Sequence, residues 1–397
     1  MKKLEGSYLS IGAGENQLPL ISAAKSRGLK VIAVDQNPQA PGFAISDIKI
    51  LESTHEYRKI LHAMSQVPLS GKLMGIGTRS FGKACYTVSY LNSKFRLKGN
   101  LPEVITQFLD KQKMKSLSHS VGLPTPKTIS DLINKKNSPE LKYPIIAKPK
   151  AGSAKAGILI LENESEFKKI SKQKKSGDLV FEEFVPGDEV TVLGFVISKK
   201  FYIISITDKV TTGIPQFIEI AHIAPSKYLS MAGELRMMCQ VLINKSGLKS
   251  GPFVAEFKIN SKSEAFLIEA APEVGGEYLA DVLLPNHFGY NYFSDYLSVT
   301  IGEKTRPKFL TKADSLKKYS ALVFYLPKAS LKKSPPLPNF IPNLGETQFF
   351  EKILIPAGER LDAFEGNHKR TYVIGVSTRN EVDPNHWVQS ILERLHS

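Results

Sequence analysis

Cysteine is almost absent from this chain, with only Cys85 and Cys239 among 397 residues. Two thiols build neither a disulfide framework nor a cysteine metal site, and a reducing cytoplasm is the expected setting. Long apolar runs are missing too. The longest are too short and too interrupted to cross a bilayer, so no membrane partner is expected. The start, Met1-Lys2-Lys3-Leu4-Glu5-Gly6, is basic but has no apolar stretch behind it, so no secretory leader is expected. Zinc-finger spacing and RNA-binding motifs are also lacking. That absence matters because the chain is basic, with 53 Lys and Arg against 38 Asp and Glu and a formal charge of +15. The lysines are scattered, as at Lys111, Lys113, Lys115, Lys317, Lys318, Lys332 and Lys333. Such scatter reads as a solvated basic face, not a nucleic-acid site.

What is present suits a globular α/β protein of two or three domains, with 42% hydrophobic residues and 28 glycines. The first part, 1–100, alternates. Tyr8-Leu9-Ser10-Ile11 reads as a buried strand ending in Gly12-Ala13-Gly14, a helical stretch runs from Glu15 to Arg27, and Lys30 to Val34 reads as a second strand ending at Asp35. Helix His55–Ser65, strand Lys72–Ile76 and helix Ser80–Leu91 continue the pattern, so a parallel sheet is expected. Gly12, Gly14 and Asp35 suggest a dinucleotide site, but the third glycine is missing and Gln17 stands there. A tight strand-to-helix turn explains the glycines as well.

The chemistry concentrates in the second part, 101–304. Phe253-Val254-Ala255-Glu256-Phe257 and Phe266-Leu267-Ile268-Glu269 are short apolar runs separated by Asn260-Ser261-Lys262-Ser263, the pattern of a hairpin. Adjacent strands would set Glu256 beside Glu269. Facing carboxylates repel, so either a cation such as Mg²⁺ lies between them or both are solvated strand ends. Upstream, Tyr143-Pro144-Ile145-Ile146-Ala147-Lys148-Pro149 is an apolar strand carrying one lysine, which needs an anionic partner. The small-residue loop Gly152-Ser153-Ala154-Lys155-Ala156-Gly157 follows. Small residues let backbone amides approach phosphate oxygens, and lysines add charge. No GKS or GKT triplet precedes a helix, so this is not a Walker loop. Asp110-Lys111 opens a helix ending near Gly122, and Leu179 to Val192 reads as a strand broken at Pro186-Gly187. The break is expected to leave the backbone of Glu183 to Val185 unpaired.

The order of these elements resembles the ATP-grasp superfamily, whose enzymes pair carboxylates with amines or other nucleophiles. Asp110-Lys111 with Gly122-Leu123-Pro124-Thr125-Pro126 is similar to that family's first lysine and its turn, and Lys148 to its second nucleotide lysine. The resemblance implies an α/β chain with a Rossmann-like domain (1–100), an ATP-grasp domain (101–304) and a small C-terminal α+β domain (305–397). It implies that Lys111, Lys148, Gly152, Ser153, Lys155 and Gly157 hold ATP phosphates. Glu182, Glu183, Phe184 and Val185 would form the adenine hinge and Glu189 would hold the ribose. Glu256 and Glu269 would hold Mg²⁺ or Mn²⁺. Glu219-Ile220-Ala221-His222 with Pro225-Ser226 is similar to a stretch of the amino-acid and dipeptide ligase branch, which places His222 with the acceptor.

Two residues depart from the family pattern. After Glu269 the family usually carries Asn-Pro-Arg, whereas this chain reads Ala271-Pro272-Glu273. A third metal ligand is lost, and an acid replaces a cation. Glu273 would hold a substrate ammonium, or Lys258, Arg79 or Arg236 would supply the missing charge, or the chain binds nucleotide without turning it over. Lys258, Glu273 and His222 are the expected catalytic residues. The C-terminal part should add strands at Ser320–Leu326 and Thr371–Ser377 and a helix at Pro384–Leu395, with Ser334-Pro335-Pro336-Leu337-Pro338 as a stiff connection. The expected activity is ATP-dependent joining of a small carboxylate to an amine through an acyl phosphate. A bicarbonate-using carboxylase, a regulatory nucleotide-binding protein and an NAD oxidoreductase are the alternatives. Oligomeric state is left open, with a homodimer as the assembly carried forward.

Overall fold

The computed structural model describes residues 3–129, 142–150, 152, 154–173, 177–311 and 317–396. Ser153, expected in the phosphate loop, lies outside them.

Three sheets carry the chain. The first is parallel, in the order β3-β2-β1-β4, from β1 (Ser7–Ile11), β2 (Lys30–Asp35), β3 (Ile48–Leu51) and β4 (Leu73–Gly77). Its helices are α1 (Leu18–Ser26), α2 (Tyr57–Met64) and α3 (Lys83–Lys94). All five residues of β1 are buried, because helices cover both faces of a parallel sheet. The expected alternation is therefore present, with β3 as an extra edge strand too short to show a period. Asp35 is engaged by the turn itself. Its Oδ2 accepts from the Ala13 amide at 2.9 Å, and Gln17 fills the space beneath Gly12, so the glycines serve a tight turn.

After the short helix α4 (Pro102–Thr106), Asp110 caps α5 (Lys111–His119) by accepting from the amides of Gln112 and Lys113. A small antiparallel sheet follows, in the order β6-β5-β7, from β5 (Ile145–Pro149), β6 (Leu159–Leu161) and β7 (Leu179–Glu183).

The third sheet is an eight-stranded antiparallel one, in the order β12-β11-β8-β9-β10-β13-β15-β14. Its strands are β8 (Asp188–Ile197), β9 (Lys200–Thr211), β10 (Glu219–Ala224), β11 (Ser250–Ile259), β12 (Ala265–Ala271), β13 (Tyr319–Tyr325), β14 (Glu346–Ile353) and β15 (Tyr372–Thr378). The C-terminal strands thus extend the same sheet that carries Glu256 and Glu269. The helix Ala232–Ser246 buries Leu235, Met238, Cys239, Leu242 and Ile243 against it, and the helix Pro384–His396 packs Trp387, Val388 and Ile391 against its far end. Both cysteines are free and buried. Among the described residues no helix is long and apolar enough to cross a membrane.

The break at Pro186-Gly187 differs from expectation. It does not interrupt one strand. β7 belongs to the small sheet and β8 to the large one, and the chain crosses between them here. Gly187 has φ +140°, and a Cβ there would lie 2.2 Å from the Ile259 carbonyl oxygen, so the crossing needs glycine.

Candidate active site

The two antiparallel sheets face each other across a cavity of about 910 Å³, whose far end reaches the loops of the parallel sheet at Gly12, His55 and Arg79.

The small sheet supplies a positive wall. Lys148 on β5 points inward, and its Nζ lies 2.9 Å from Glu182 Oε2 on β7. The other oxygen of Glu182 is 2.6 Å from Lys115 Nζ, which also donates to the Pro126 carbonyl. All three side chains are buried. Glu182, expected at the adenine edge, instead fixes two lysines. Glu183 also departs from expectation, since its amide donates to the Lys127 carbonyl at 3.0 Å and its carboxylate accepts from the Lys127 amide. Among the described residues no hydrogen bond engages the amides of Phe184 and Val185, so the free part of the hinge is these two residues. Phe184 stacks on Phe217 with ring centroids 5.9 Å apart, and both rings line the cavity.

The loop beyond β5 is folded over the cavity. Ala154 and Lys155 both have φ +58°, and Lys155 reaches in to Glu189, with Nζ 3.3 Å from Oε2. Gly152 lines the cavity, and its carbonyl accepts from Lys111 Nζ at 2.7 Å, while Gly157 flanks the loop. The loop is latched to the C-terminal part, where the Asn367 amide donates to the Ala154 carbonyl at 2.8 Å. Gly366 beside it has φ +54°, and a Cβ there would sit 2.2 Å from that oxygen, so only glycine permits the approach. Asn367 Oδ1 in turn accepts from the Glu219 amide, and Arg370 forms a bidentate pair with Glu277.

The large sheet supplies a negative wall. Glu256 and Glu269 are register partners on β11 and β12, as the hairpin pattern predicts, with a bulge beginning after Glu256. Each already holds a lysine. Lys111 Nζ is 2.9 Å from Glu269 Oε1. Lys209, on β9, lies 2.7 Å from Glu256, 3.0 Å from Glu219 and 3.9 Å from Glu189. Burial works against the Lys209 charge, but Glu219 and Glu256 outweigh it and hold its pKa well above the usual lysine value. Burial likewise opposes ionisation of Glu219 and Glu269, and Lys209 and Lys111 respectively outweigh it and lower their pKa values. Among the described residues no three carboxylates or imidazoles form a complete metal cage. A metal ion here would need phosphate oxygens and water to fill its shell, which suits Mg²⁺.

Two expected catalytic residues stand elsewhere. Lys258 Nζ is 3.6 Å from Glu189 and sits over the Phe184 and Phe217 rings at 5.5 and 5.8 Å, at the hinge end of the cavity. Burial lowers its pKa, and Glu189 resists the drop. Strand register put it there, since Lys258 pairs with Glu189 two residues along from the Glu256–Thr191 pair. His222 does not reach the cavity at all. It is buried in register with Lys209, and its Nε2 is 3.9 Å from Glu219 Oε2. Glu219 lines the cavity in its place.

Glu273 does line the cavity, at the end away from the hinge. Burial and then Glu269 push its pKa up to about 7, against the Gly82 amide, Arg79 and Lys111. Of the three cations considered for the missing charge, Arg79 is the one facing Glu273, and it is held by Asp281 through two bonds of 3.3 and 2.7 Å. Arg236 is exposed on the helix Ala232–Ser246. The sequence reading missed Lys209 and Lys115. Lys209 carries the same signal that exposed Lys148, a lysine in an otherwise buried strand.

Residues 141–281 match the ATP-grasp domain family. A 116-residue stretch is 28% identical to D-alanine–D-alanine ligase of Fusobacterium nucleatum, spanning 29% of this chain and 37% of that protein. The whole chain is similar in structure to an L-amino acid ligase from Bacillus licheniformis, with a TM-score of 0.77 at 17% identity over 99% of this chain and 98% of that one. It is also similar to phosphoribosylglycinamide synthetase from Anaerococcus prevotii, with a TM-score of 0.72 at 19% identity over 99% and 98% of the two chains. The match to the ATP-grasp domain family thus covers the central part of the chain, and the fold of the whole chain is that of these two structures.

Proposed function

We propose that this protein is an ATP-dependent carboxylate–amine ligase that forms ADP and a C–N bond. The carrying observation is that one cavity is lined by Lys111, Lys148, the Glu256/Glu269 pair, Glu273 and Arg79 together. The local sequence match to a ligase supports the reading.

In this reading adenine lies against Phe184 and Phe217 and is read by the free amides of Phe184 and Val185. Glu189 exchanges its lysines for the ribose hydroxyls. Lys111, Lys148, Lys155 and the amides of Gly152 and of residues 154–157 hold the phosphates. Glu269, beside Glu256, would hold Mg²⁺, which when bound offsets charge on the transferring phosphoryl group. The carboxylate attacks the γ-phosphorus, and the amine then displaces phosphate from the acyl carbon. The chain's own work is positioning and excluding water, which the latched loop accomplishes by covering the cleft. Glu273 would hold the acceptor's ammonium and accept its proton, so that the neutral amine attacks, a role a carboxylate fills where a cation would not.

The test is ADP release with a pool of the twenty proteinogenic L-amino acids, with and without hydroxylamine. Hydroxylamine traps an acyl phosphate as a hydroxamate without needing the acceptor amine. Hydroxamate with ADP supports the ligase. ADP release that requires bicarbonate instead would point to a carboxylase. ATP binding with no ADP under any of these conditions would leave a nucleotide-binding protein without turnover and overturn the proposal.

A further inference from the structure

Glu256 and Glu269 are neighbours, yet their lysines differ in kind. Lys111, at the first turn of α5, has a side chain 16% exposed and holds a Glu269 that is 41% exposed. It can pass from that carboxylate to an arriving phosphate. Lys209 is 1% exposed and is gripped by carboxylates from three strands, Glu189 on β8, Glu219 on β10 and Glu256 on β11. It rises from the middle of a sheet, and withdrawing it would leave the buried Glu219 without its paired lysine, a costly arrangement.

We infer that Lys209 is the permanent cation of Glu256, so that the site takes a single divalent ion for each bound nucleotide, and takes it on Glu269. The inference rests on the nucleotide-binding reading above. Three observations lead to it. Lys209 Nζ lies 2.7 Å from Glu256 Oε1, so a metal ion on the same carboxylate would lie within a few ångströms of an ammonium and be repelled by it. Lys209 also bonds Glu219 at 3.0 Å, which holds it in place from the side away from β11. Finally, Ala271, two residues beyond Glu269 on β12 and so on the same face of the strand, offers no oxygen ligand. A second ion would therefore have one half-neutralised carboxylate and no further protein ligand. A lysine fixed in the sheet does part of the work of a second metal, neutralising Glu256 without having to bind and leave on each cycle.

Manganese is the probe. The protein is saturated with the non-hydrolysable analogue adenosine 5′-(β,γ-imido)triphosphate and titrated with Mn²⁺, free ion being counted by electron paramagnetic resonance and nucleotide by calorimetry. One Mn²⁺ per bound nucleotide is expected, and two would overturn the inference while leaving the ligase reading intact. Failure of the analogue to bind would overturn both. Glu269→Gln should weaken that ion by at least about tenfold, while Glu256→Gln retains it. Loss in Glu256→Gln and retention in Glu269→Gln would overturn the assignment. Lys209→Met should expose a second, weaker Mn²⁺ site at Glu256. If that variant does not fold, the wild-type count and the two glutamine variants still decide.

Discussion

The two walls of the cleft use the same chemistry in opposite proportions. On the small sheet one carboxylate, Glu182, is shared by two lysines, Lys115 and Lys148. On the large sheet one lysine, Lys209, is shared by three carboxylates, Glu189, Glu219 and Glu256. The first leaves an excess positive charge. In the second, Lys155 and Lys258 also reach Glu189, so the acids are met by cations until a ligand draws those two lysines away. Burial makes an imbalance expensive unless a ligand completes it. In the proposed reading an anionic polyphosphate completes the first wall and engages Lys155, and cations then complete the second. The lesson is that the walls are pre-set for a charged ligand pair lying across the cleft, phosphate toward β5 and metal or ammonium toward β12.

Changes at the shared groups break the comparison most sharply. Lys209→Met removes the cation that lies within 3.0 Å of both Glu219 and Glu256 and should destabilise the fold by about 3–5 kcal/mol, read from urea denaturation without nucleotide. A loss below about 1 kcal/mol would show that the acids are not held by it. Glu269→Gln should leave stability nearly unchanged yet lower ligation by about 10²–10³-fold, since only charge facing the phosphoryl group is lost. Full activity in that variant would remove the negative wall from the chemistry. Lys148→Ala halves the lysines on Glu182, while Lys115 still pairs it. ATP binding should weaken by about 2–3 kcal/mol in calorimetry, with little change in Tm.

A smaller effect sharpens the contrast through pH. Glu273 is held protonated up to about 7 in the folded chain, against an ordinary 4.5. The folded state therefore binds that proton more tightly than the unfolded state does. Its contribution to stability is complete at acid pH and is lost as pH rises through about 7, the reverse of a salt-bridged acid. Because the side chain is only partly buried, the loss should be about 1–2 kcal/mol. Glu273→Gln should abolish it, which denaturation at pH 5 and pH 8 without divalent ions would show. The same variant should raise KM for the acceptor amine and leave that for ATP unchanged. Least of all, Lys111→Met should alter stability by under about 1 kcal/mol, because its pair is partly exposed.

How much of this was legible depended on distance along the chain. Glu256 beside Glu269 could be read because a hairpin is local and its turn residues fix the register. The parallel sheet was legible because strand and helix periods alternate cleanly in 1–100. Lys148 declared itself as a charge in an apolar strand. Its partner did not, since nothing local says that β7 lies against β5, and Glu182 was taken for an adenine contact. His222 failed for a related reason. Strand pairing turned it beneath Glu219, and a bulge between Glu219 and Ala221 shifts the alternation on which a sequence reading relies. The pairs Arg79–Asp281 and Arg370–Glu277 join residues far apart in sequence, and no short pattern encodes them.

The shared eight-stranded sheet has a consequence for handling the protein. β13 pairs along β10, so the C-terminal strands cover what would otherwise be the rim of the sheet bearing the candidate metal carboxylates. Cutting the chain before Tyr319 would strip that cover and bare a row of unpaired amides and carbonyls beside Ala221 and Ile223, an adhesive surface for other chains. The same cut would free the 152–157 loop from Asn367. A shortened chain that aggregates or fails to bind nucleotide would therefore say nothing about which residues touch ATP, and point substitutions in the uncut chain are the sound way to dissect it.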